Sequence, residues 1–462
     1  MIGTNKVVKD YSYMKKSVAP KRIAVRAVAV LAGVVSSGFP FLVPAVPPVQ
    51  FSPPVHSSYS NVFGMLALGD LNGDTNLDVV GGFFPGRVGV LLGNGDGTFT
   101  GLTNYTMDSS AGSAALADLN GDLNLDVITA NASSISVRLG NGNGTFGPLT
   151  NFFAGNSSQS TVIGDFNNDT RPDVAVANAT ANTLSVLLGN GDGSFAPRVP
   201  YSVSVGTLGR LITADFNTNG ALDLAVAGSD GSVAVRLGNG NGTFGAASNF
   251  VATFPYSFAL NLQGLAATDF NRDGILDLVT ANYIDRSSTL LLGDGSGSFH
   301  AAVTNYVTYE PFNVTTGDFN GDGIPDLATA NNNSSNSVTL RLGDGDGTSS
   351  STNYLRANAR ATFVTVTDLN HDTVPDVFMA ANSTTNMFVF LNQTAPTLEI
   401  SQADAQVGLT WPDWTGYQLE STTNLADANE WGAVTNIPVL INGRNAVSNS
   451  YEGDSRFYRL KK

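Results

Sequence analysis

A nine-residue acidic motif, D-x-N-x-[DN]-x-x-x-D, occurs seven times in this chain, and its regular recurrence is the strongest constraint on the fold. The seven motifs begin at Asp70, Asp118, Asp165, Asp215, Asp269, Asp318 and Asp368. Successive openings lie 48, 47, 50, 54, 49 and 50 residues apart. A period in this range is typical of repeat architectures, in which each unit buries its apolar face against the next one. We therefore expect one structural unit for each motif.

Each unit has four stretches of strand length separated by turn residues. In the second unit these are "SAALAD", "LDVITAN", "ISVRLG" and "FGPLTNFFAG". The "GNGNG" between the last two supplies Asn-Gly steps, which favour positive φ and tight hairpins. Four antiparallel strands in about 50 residues form one propeller blade. The sequence therefore predicts an all-β fold, a seven-bladed β-propeller over residues 49–394.

The glycine-rich hairpins and the phenylalanines that follow them have structural explanations. A glycine-rich phosphate loop precedes a helix, whereas a strand follows here. We predict that the recurring phenylalanines fill the core between blades and do not form a binding site. They are Phe99, Phe146, Phe195, Phe244 and Phe299.

The segment before the first unit is predicted to close the ring. Phe51 lies 19 residues ahead of Asp70, the spacing that also separates Phe99 from Asp118. The seventh unit ends at "MFVFLNQT" without an outer strand of its own. We therefore expect Val49 to Ser57 to supply the outer strand of the last blade.

Composition narrows the classes of function. The chain has no Cys, which excludes disulfides, thiolate metal sites and a cysteine nucleophile. Its formal net charge is −15. Nucleic acids and anionic membranes require basic patches, so neither is expected as a partner.

Residues 1–45 have the pattern of an export signal. A lysine-rich head precedes the apolar run "AVRAVAVLAGVVSSGFPFLV", which ends in prolines. An uncleaved anchor over Ile23 to Val43 is the alternative, and Arg26 and Pro40 inside the run weaken it. We therefore expect a secreted or cell-surface protein whose mature chain does not insert into the membrane.

The motif itself predicts a cation site. Side-chain oxygens at positions 1, 3, 5 and 9, with the backbone carbonyl at position 7, form an all-oxygen donor set that suits up to seven Ca²⁺ ions, with Mg²⁺ as second choice. The alternative is a set of solvated turns, in which Asp and Asn serve turn propensity. The fourth site has Asn219 in place of a carboxylate and is expected to be the weakest. The predicted ligands are Asp70, Asn72, Asp74, Asn76, Asp78; Asp118, Asn120, Asp122, Asn124, Asp126; Asp165, Asn167, Asp169, Arg171, Asp173; Asp215, Asn217, Asn219, Ala221, Asp223; Asp269, Asn271, Asp273, Ile275, Asp277; Asp318, Asn320, Asp322, Ile324, Asp326; Asp368, Asn370, Asp372, Val374 and Asp376.

Together, the acidic loop and the "LGNGDGTF" hairpin resemble the FG-GAP/VCBS repeat family, which includes the calcium-binding propeller of integrin α subunits. The resemblance implies a seven-bladed propeller with Ca²⁺ between the first two strands of a blade, in adhesion or carbohydrate-associated extracellular proteins. Position 3 is Asn in every repeat of this chain, which removes one charge per site. None of the additional domains of an integrin α subunit is recognisable in this sequence, so the resemblance does not imply an integrin role.

Residues 397–462 differ in composition and hold all three tryptophans. Alternating segments predict a small β-sandwich of fibronectin-III-like type. Its segments "GYQLESTTNL" and "FYRL", with a tryptophan between them, resemble a C-terminal module found on bacterial secreted proteins. Trp411, Trp414 and Tyr417 could stack on a sugar, but core packing is the preferred interpretation.

Three functions are compatible with these features. The preferred one is a non-catalytic, monomeric scaffold that binds an extracellular protein or polysaccharide. A polysaccharide-active enzyme would need two carboxylates or a His in one pocket, and residues 49–394 contain one Glu, Glu310, and three histidines. A purely structural surface component is the third. The insert from Phe250 to Gln263 is the expected ligand contact.

Overall fold

The computed structural model describes most of the propeller region and parts of the remaining chain. The described residues are 30–31, 49–58, 63–83, 86–109, 112–252, 262–306, 309–381, 386–394, 399–403, 406–412, 417–422, 431–441, 444–450 and 457–461. All regular elements in these ranges are β-strands. None of the described residues belongs to a helix long and apolar enough to span a membrane. Apart from residues 30 and 31, the predicted export signal lies outside these ranges, as does most of the insert from Phe250 to Gln263.

The strands follow one another in groups of four. Two strands, β1 (Val30–Leu31) and β2 (Val55–Ser58), precede the first blade. The first strand of that blade is β3 (Phe63–Gly69). The first blade continues with β4 (Asp78–Phe83), β5 (Arg87–Gly93) and β6 (Phe99–Thr106). The second and third blades contain β7 (Ser113–Ala117), β8 (Asp126–Ala130), β9 (Ser134–Gly140), β10 (Phe146–Phe153), β11 (Ser158–Gly164), β12 (Asp173–Asn178), β13 (Thr183–Leu187) and β14 (Val199–Ser202).

The later blades repeat this order. The fourth and fifth contain β15 (Leu208–Ala214), β16 (Asp223–Gly228), β17 (Ser232–Gly238), β18 (Phe244–Val251), β19 (Leu262–Thr268), β20 (Asp277–Asn282), β21 (Ser287–Gly293) and β22 (Phe299–Tyr306). The sixth and seventh contain β23 (Pro311–Gly317), β24 (Asp326–Asn331), β25 (Val338–Gly343), β26 (Ser349–Leu355), β27 (Ala361–Thr367), β28 (Asp376–Ala381) and β29 (Asn386–Phe390).

Every blade is a four-stranded antiparallel sheet, and together the seven sheets form a seven-bladed propeller, as predicted. The first strands of successive blades lie against one another, and β27 of the seventh blade lies against β3 of the first. In the seventh sheet the order is β2-β29-β28-β27. The register of β2 on β29 pairs Val55 with Val389 and Ser58 with Asn386.

The core lies between adjacent sheets. Every residue of the second strands β12, β16, β20, β24 and β28 is buried. These strands are near-continuous apolar runs because both of their faces are covered by neighbouring blades. Since their side chains are packed on both sides, the second strands set the distance between neighbouring blades.

The recurring phenylalanines are core residues, as predicted, with exposed fractions of 6–9%. Each packs edge-on against an aromatic ring of the preceding blade. The pairs are Phe99 with Phe378, Phe146 with Tyr105, Phe195 with Phe152, Phe244 with Phe166, and Phe299 with Phe216, at centroid distances of 5.4–5.9 Å. Such T-shaped pairs are worth about 0.5–1.5 kcal/mol beyond the area they bury. The same aromatic contact is therefore repeated at successive blade junctions.

The chain divides into two compact units, residues 40–415 with 436–451 and residues 1–39 with 416–435 and 452–462. The larger unit also contains the strands β30 (Glu399–Ala403), β31 (Gln406–Pro412), β34 (Val439–Ile441) and β35 (Arg444–Ser450), in one sheet of order β30-β31-β35-β34. The smaller unit contains β32 (Gln418–Thr422), β33 (Gly432–Ala433) and β36 (Phe457–Lys461), which with β1 form a sheet of order β1-β36-β32-β33.

Of the aromatic residues considered for sugar stacking, Trp411 is only 2% exposed. Core packing is therefore confirmed for this residue. Tyr417 is half-buried, and Trp414 lies outside the described residues. The fibronectin-III-like arrangement of this region remains a prediction.

Candidate metal-binding loops

The seven acidic loops join the first strand of each blade to the second. Because strands alternate in direction within a blade, these loops and the hairpins between the third and fourth strands lie at the same end of each sheet. We call this end of the ring the acidic face. Backbone hydrogen bonds connect neighbouring blades there: Gly144 N–H donates to the Leu71 carbonyl at 2.8 Å, and Gly242 N–H donates to the Phe166 carbonyl at 2.8 Å.

The carboxylate at position 1 organises its own loop. In the first loop, Asp70 accepts hydrogen bonds from the N–H groups of Gly73 (2.8 Å) and Thr75 (2.8 Å). The bond from position 6 recurs in all seven loops at 2.7–2.9 Å. Positions 4 and 6 have positive φ in every loop, including Thr75 and Leu123. This alternation turns successive N–H groups inward and forms an anion-binding nest around the carboxylate.

Positions 3 and 5 form a second set of bonds. Asn72 accepts the N–H of Asp74 at 2.9 Å and donates its amide to the Asp74 carboxylate at 3.0 Å. The amide-to-carboxylate bond is present in six loops at 2.8–3.4 Å. An aspartate at position 3 has no donor for this bond and adds a repelling charge. The invariant Asn, a departure from the family pattern, therefore has a local structural cause.

The carboxylate at position 9 clamps two loops together. Asp78 accepts the N–H of Leu71, at position 2, and the N–H of Gly93, at the start of the following hairpin. Equivalent pairs of bonds, 2.7–3.0 Å long, occur in all seven blades, and Asn392 replaces the glycine in the last blade. Every position-9 carboxylate is 0% exposed. Sequence reasoning assigned position 9 to metal binding and missed this clamp.

Burial and neighbouring charge act on these carboxyls in the same direction. Burial raises the pKa of Asp78, and the nearby carboxylates of Asp74 and Asp70 raise it further. Burial likewise raises the pKa of Asp326 to about 8 and that of Asp376 to about 7. A raised carboxyl pKa means that the loop disfavours the ionised form relative to water. A divalent cation in the loop would remove this penalty.

The types of donor in each loop favour a bound cation, whereas the present arrangement of the side chains does not place them around one. Three carboxylates, an amide oxygen and a backbone carbonyl suit Ca²⁺, and a carboxylate oxygen that accepts one hydrogen bond retains a further acceptor site. Among the described residues, however, no three His, Asp or Glu side chains converge closely enough to hold an ion directly. The predicted ligands of each loop are adjacent but face backbone donors. The residues therefore fit calcium by chemistry, and direct ligation by all of them requires side-chain rotation.

Three loops depart from the common pattern. In the third, the Arg171 guanidinium lies 3.9 Å from the Asp169 carboxylate. In the seventh, His371 contacts the Asn76 side-chain oxygen of the first loop at 2.8 Å and so connects the last blade to the first. In the fourth, the side-chain oxygen of Asn219 still accepts the Ala221 N–H at 2.8 Å, but the residue contributes no charge.

The other candidate catalytic groups are dispersed. His56 lies on β2 and packs near Phe388, with ring centroids 6.5 Å apart. His300 lies on β22, in a different blade. Glu310 forms an ion pair with Arg286 at 2.8 Å, at the end of the blades opposite the acidic face. The structure does not bring these three groups together in one pocket.

The fold and its loops define a class of protein: a seven-bladed β-propeller with an acidic loop between the first two strands of each blade. An FG-GAP-like repeat model matches six overlapping stretches, residues 70–129, 118–176, 165–226, 215–280, 269–329 and 318–379. Each stretch runs from one acidic loop through the next, so the six together include all seven loops. The chain belongs to the FG-GAP-like repeat family.

Solved structures resemble the chain in fold. BBS1N, in complex with ARL6DN, is 10% identical, with a TM-score of 0.53 over 75% of this chain and 98% of that one. An Agrocybe aegerita lectin that recognises non-reducing terminal N-acetylglucosamine is 19% identical, with a TM-score of 0.48 over 70% of this chain and 86% of the lectin. A search of curated protein sequences finds no match.

Proposed function

We propose that this protein is an exported, calcium-binding propeller that acts as a non-catalytic scaffold for a cell-surface polymer, glycan or protein. The observation that carries the proposal is the sevenfold repetition of one loop design on a closed set of blades. Each loop is clamped within its own blade, and the first three loops also accept a backbone hydrogen bond from the next blade, which favours a rigid ring. Binding residues are commonly placed on loops that a rigid scaffold positions.

The proposed calcium ions stabilise this ring. In each loop the ion would be held by the side chains at positions 1, 3, 5 and 9 and by the carbonyl at position 7. It would supply positive charge next to a buried carboxylate whose pKa is raised in the ion-free loop. The weakest site is expected at Asn219, where one carboxylate is missing.

A non-catalytic role is supported by how the acidic groups are used. The loop carboxylates already accept backbone N–H groups, and Glu310 is neutralised by Arg286. General acid–base catalysis requires a group within hydrogen-bond reach of the substrate and with a suitable pKa. In an ion-filled loop these carboxylates would be held as ligands and unable to exchange protons.

The remaining features complete the proposal. Pairing of β2 with β29 would close the ring in the outer strand of the seventh blade. The mature chain would be a monomer outside the cell, with no nucleic acid partner and no membrane insertion. Its C-terminal region would be a separate small β module.

Retention on immobilised polysaccharides and extracellular proteins, measured with calcium and after chelation, tests this function. We expect calcium-dependent retention on at least one of these surfaces, without release of soluble fragments. Release of oligosaccharides would instead establish a polysaccharide-active enzyme. Absence of retention on every surface would favour a purely structural component.

A further inference from the structure

A cluster of aromatic and amide side chains lies between the fifth and sixth blades, at the end of the ring opposite the acidic face. Three segments meet there: residues 283–286, which join β20 to β21, residues 309–310, which precede β23, and residues 332–337, which join β24 to β25. The last is the longest connection of its kind, with six residues where the other blades have three or four. Blade insertions of this type are places where repeat proteins place binding residues.

Hydrogen bonds fix the three segments to one another. The Asn332 N–H donates to the Glu310 carbonyl at 2.8 Å. The Arg286 guanidinium donates to the Glu310 carboxylate at 2.8 Å. This pair cancels its own charge, so the surface beside it carries no net charge from these two groups.

Two tyrosines with amide partners form the polar part of the cluster. The Asn332 amide donates to the Tyr283 hydroxyl at 2.7 Å, and the Asn336 amide donates to the Tyr309 hydroxyl at 2.7 Å. A tyrosine hydroxyl that accepts one bond still has its own proton to donate. The Tyr283 ring meets Phe312 edge-on, with centroids 6.0 Å apart, which holds the ring in place. All three rings are half-buried, so each also has a solvent-facing part.

Asn336 has an unused hydrogen-bonding group. The residue is 8% exposed, and its side-chain oxygen is buried without any hydrogen-bond partner. If the amide is turned over, its nitrogen is left unpaired instead, so one end is always unused. A buried acceptor without a partner costs about 1–3 kcal/mol. Pairing with a ligand hydroxyl would remove that cost, and because the oxygen is enclosed, the Asn336 side chain must turn toward the surface to make that pair.

We propose that this cluster, formed by Tyr283, Tyr309, Phe312, Asn332 and Asn336, binds a neutral saccharide. The inference deepens the proposed scaffold function and rests on it. Sugar hydroxyls both donate and accept, which matches tyrosine hydroxyls with free protons next to an amide with a free end. The apolar C–H face of a sugar ring matches the solvent-facing parts of these aromatic rings. The ion pair uses the positive charge of Arg286, and Asp285 in the same segment is acidic, so the cluster offers no spare positive charge to attract an anionic polymer.

The test compares full-length variants on immobilised neutral polysaccharides (glucan, mannan, xylan and galactan) with calcium present. The double variant Tyr283→Phe/Tyr309→Phe keeps both rings and removes both hydroxyls. We expect its apparent affinity for the retained polysaccharide to fall by about tenfold, the equivalent of one or two hydrogen bonds. Tyr354→Phe, the same change on an exposed outer strand of the sixth blade, is the matched control and should bind like the unchanged chain.

Thermal unfolding of each variant separates lost binding from lost folding, and Asn332→Asp provides a second variant that removes the donor to Tyr283. Unchanged retention of a folded double variant would overturn the saccharide site and leave the scaffold function intact. Retention of the unchanged chain only on proteins or acidic polysaccharides would have the same consequence. If the unchanged chain is retained on nothing, both the site and the scaffold function are wrong.

Discussion

At the scale of single residues, each acidic loop contains two left-handed backbone positions that limit which side chains it tolerates. Position 6 is Gly in three loops and Thr in three others, but it is Leu123 in the second loop, with φ of 69°. The left-handed region costs a residue with a Cβ about 1–2 kcal/mol. Leu123 is also 92% exposed, so its side chain gains little from packing.

Replacing this leucine should therefore stabilise the protein. We expect Leu123→Gly to raise the free energy of unfolding by about 0.5–1 kcal/mol, since relief of the backbone strain exceeds the added flexibility of glycine. Chemical denaturation measures the change. Thr150→Gly, on the exposed side of a strand in the same blade, is the control and should lower the free energy of unfolding. Equal destabilisation by both substitutions would contradict the strain assigned to position 6.

A second residue-scale prediction concerns the loop with the missing carboxylate. Asn219→Asp supplies the third acidic group and keeps the oxygen that accepts the Ala221 N–H. We expect calcium affinity at this loop to increase by about tenfold, because the added charge lies next to the ion. Calcium titration calorimetry measures it. Asn239→Asp, which adds the same charge to the hairpin of the same blade, should leave calcium affinity within about twofold.

At the scale of elements, the first glycine of each hairpin is fixed by a close approach to the acidic loop. A Cβ on Gly140 would lie less than 3.0 Å from the Leu125 carbonyl oxygen, a separation that real structures essentially never show. The Gly140 N–H meanwhile donates to Asp126 at 2.7 Å. The glycine therefore brings the hairpin within reach of the buried carboxylate.

This contact predicts that substitution by alanine has very different effects on stability at two glycines of one blade. Gly140→Ala should destabilise the protein by about 1–3 kcal/mol, because the hairpin must shift away from the clamp. Gly147→Ala, where the nearest atom to the new Cβ is 3.5 Å away, should change the free energy of unfolding by less than about 0.5 kcal/mol. Thermal and chemical unfolding of the two variants provide the comparison. A smaller effect at Gly140 than at Gly147 would contradict the clamp.

The hairpins and acidic loops were predictable from sequence because their signals are local. Asn-Gly steps, strand-length apolar runs and a fixed spacing of aspartates all lie within one unit. The clamp was not predictable in the same way, since Asp78 and Gly93 are 15 residues apart and the motif gives no sign that the two meet. The role of Asn392 was not predicted for the same reason. This residue occupies the position of the hairpin glycine in the last blade, and its side-chain amide donates to the Phe319 carbonyl of the sixth blade at 2.9 Å.

At the scale of the whole molecule, the number of blades followed directly from the number of motifs. The tyrosine and asparagine cluster did not, because its members come from three segments that only the ring brings together. Their types are common in this Asn-rich chain, so no pattern distinguishes them. A repeated motif allows the architecture to be predicted from the sequence, whereas a site that occurs once in the ring can be recognised only in the assembled structure.

We propose that divalent cations in the acidic loops stabilise the ring. This role is tested most directly by the thermal unfolding of chelator-treated protein across a series of free calcium concentrations. The midpoint should rise with calcium, since each site contributes about 2.7 kcal/mol at a 100-fold excess over its dissociation constant. Unfolding curves that coincide at every calcium concentration would contradict this role. The loops would then stabilise the ring through their hydrogen bonds alone.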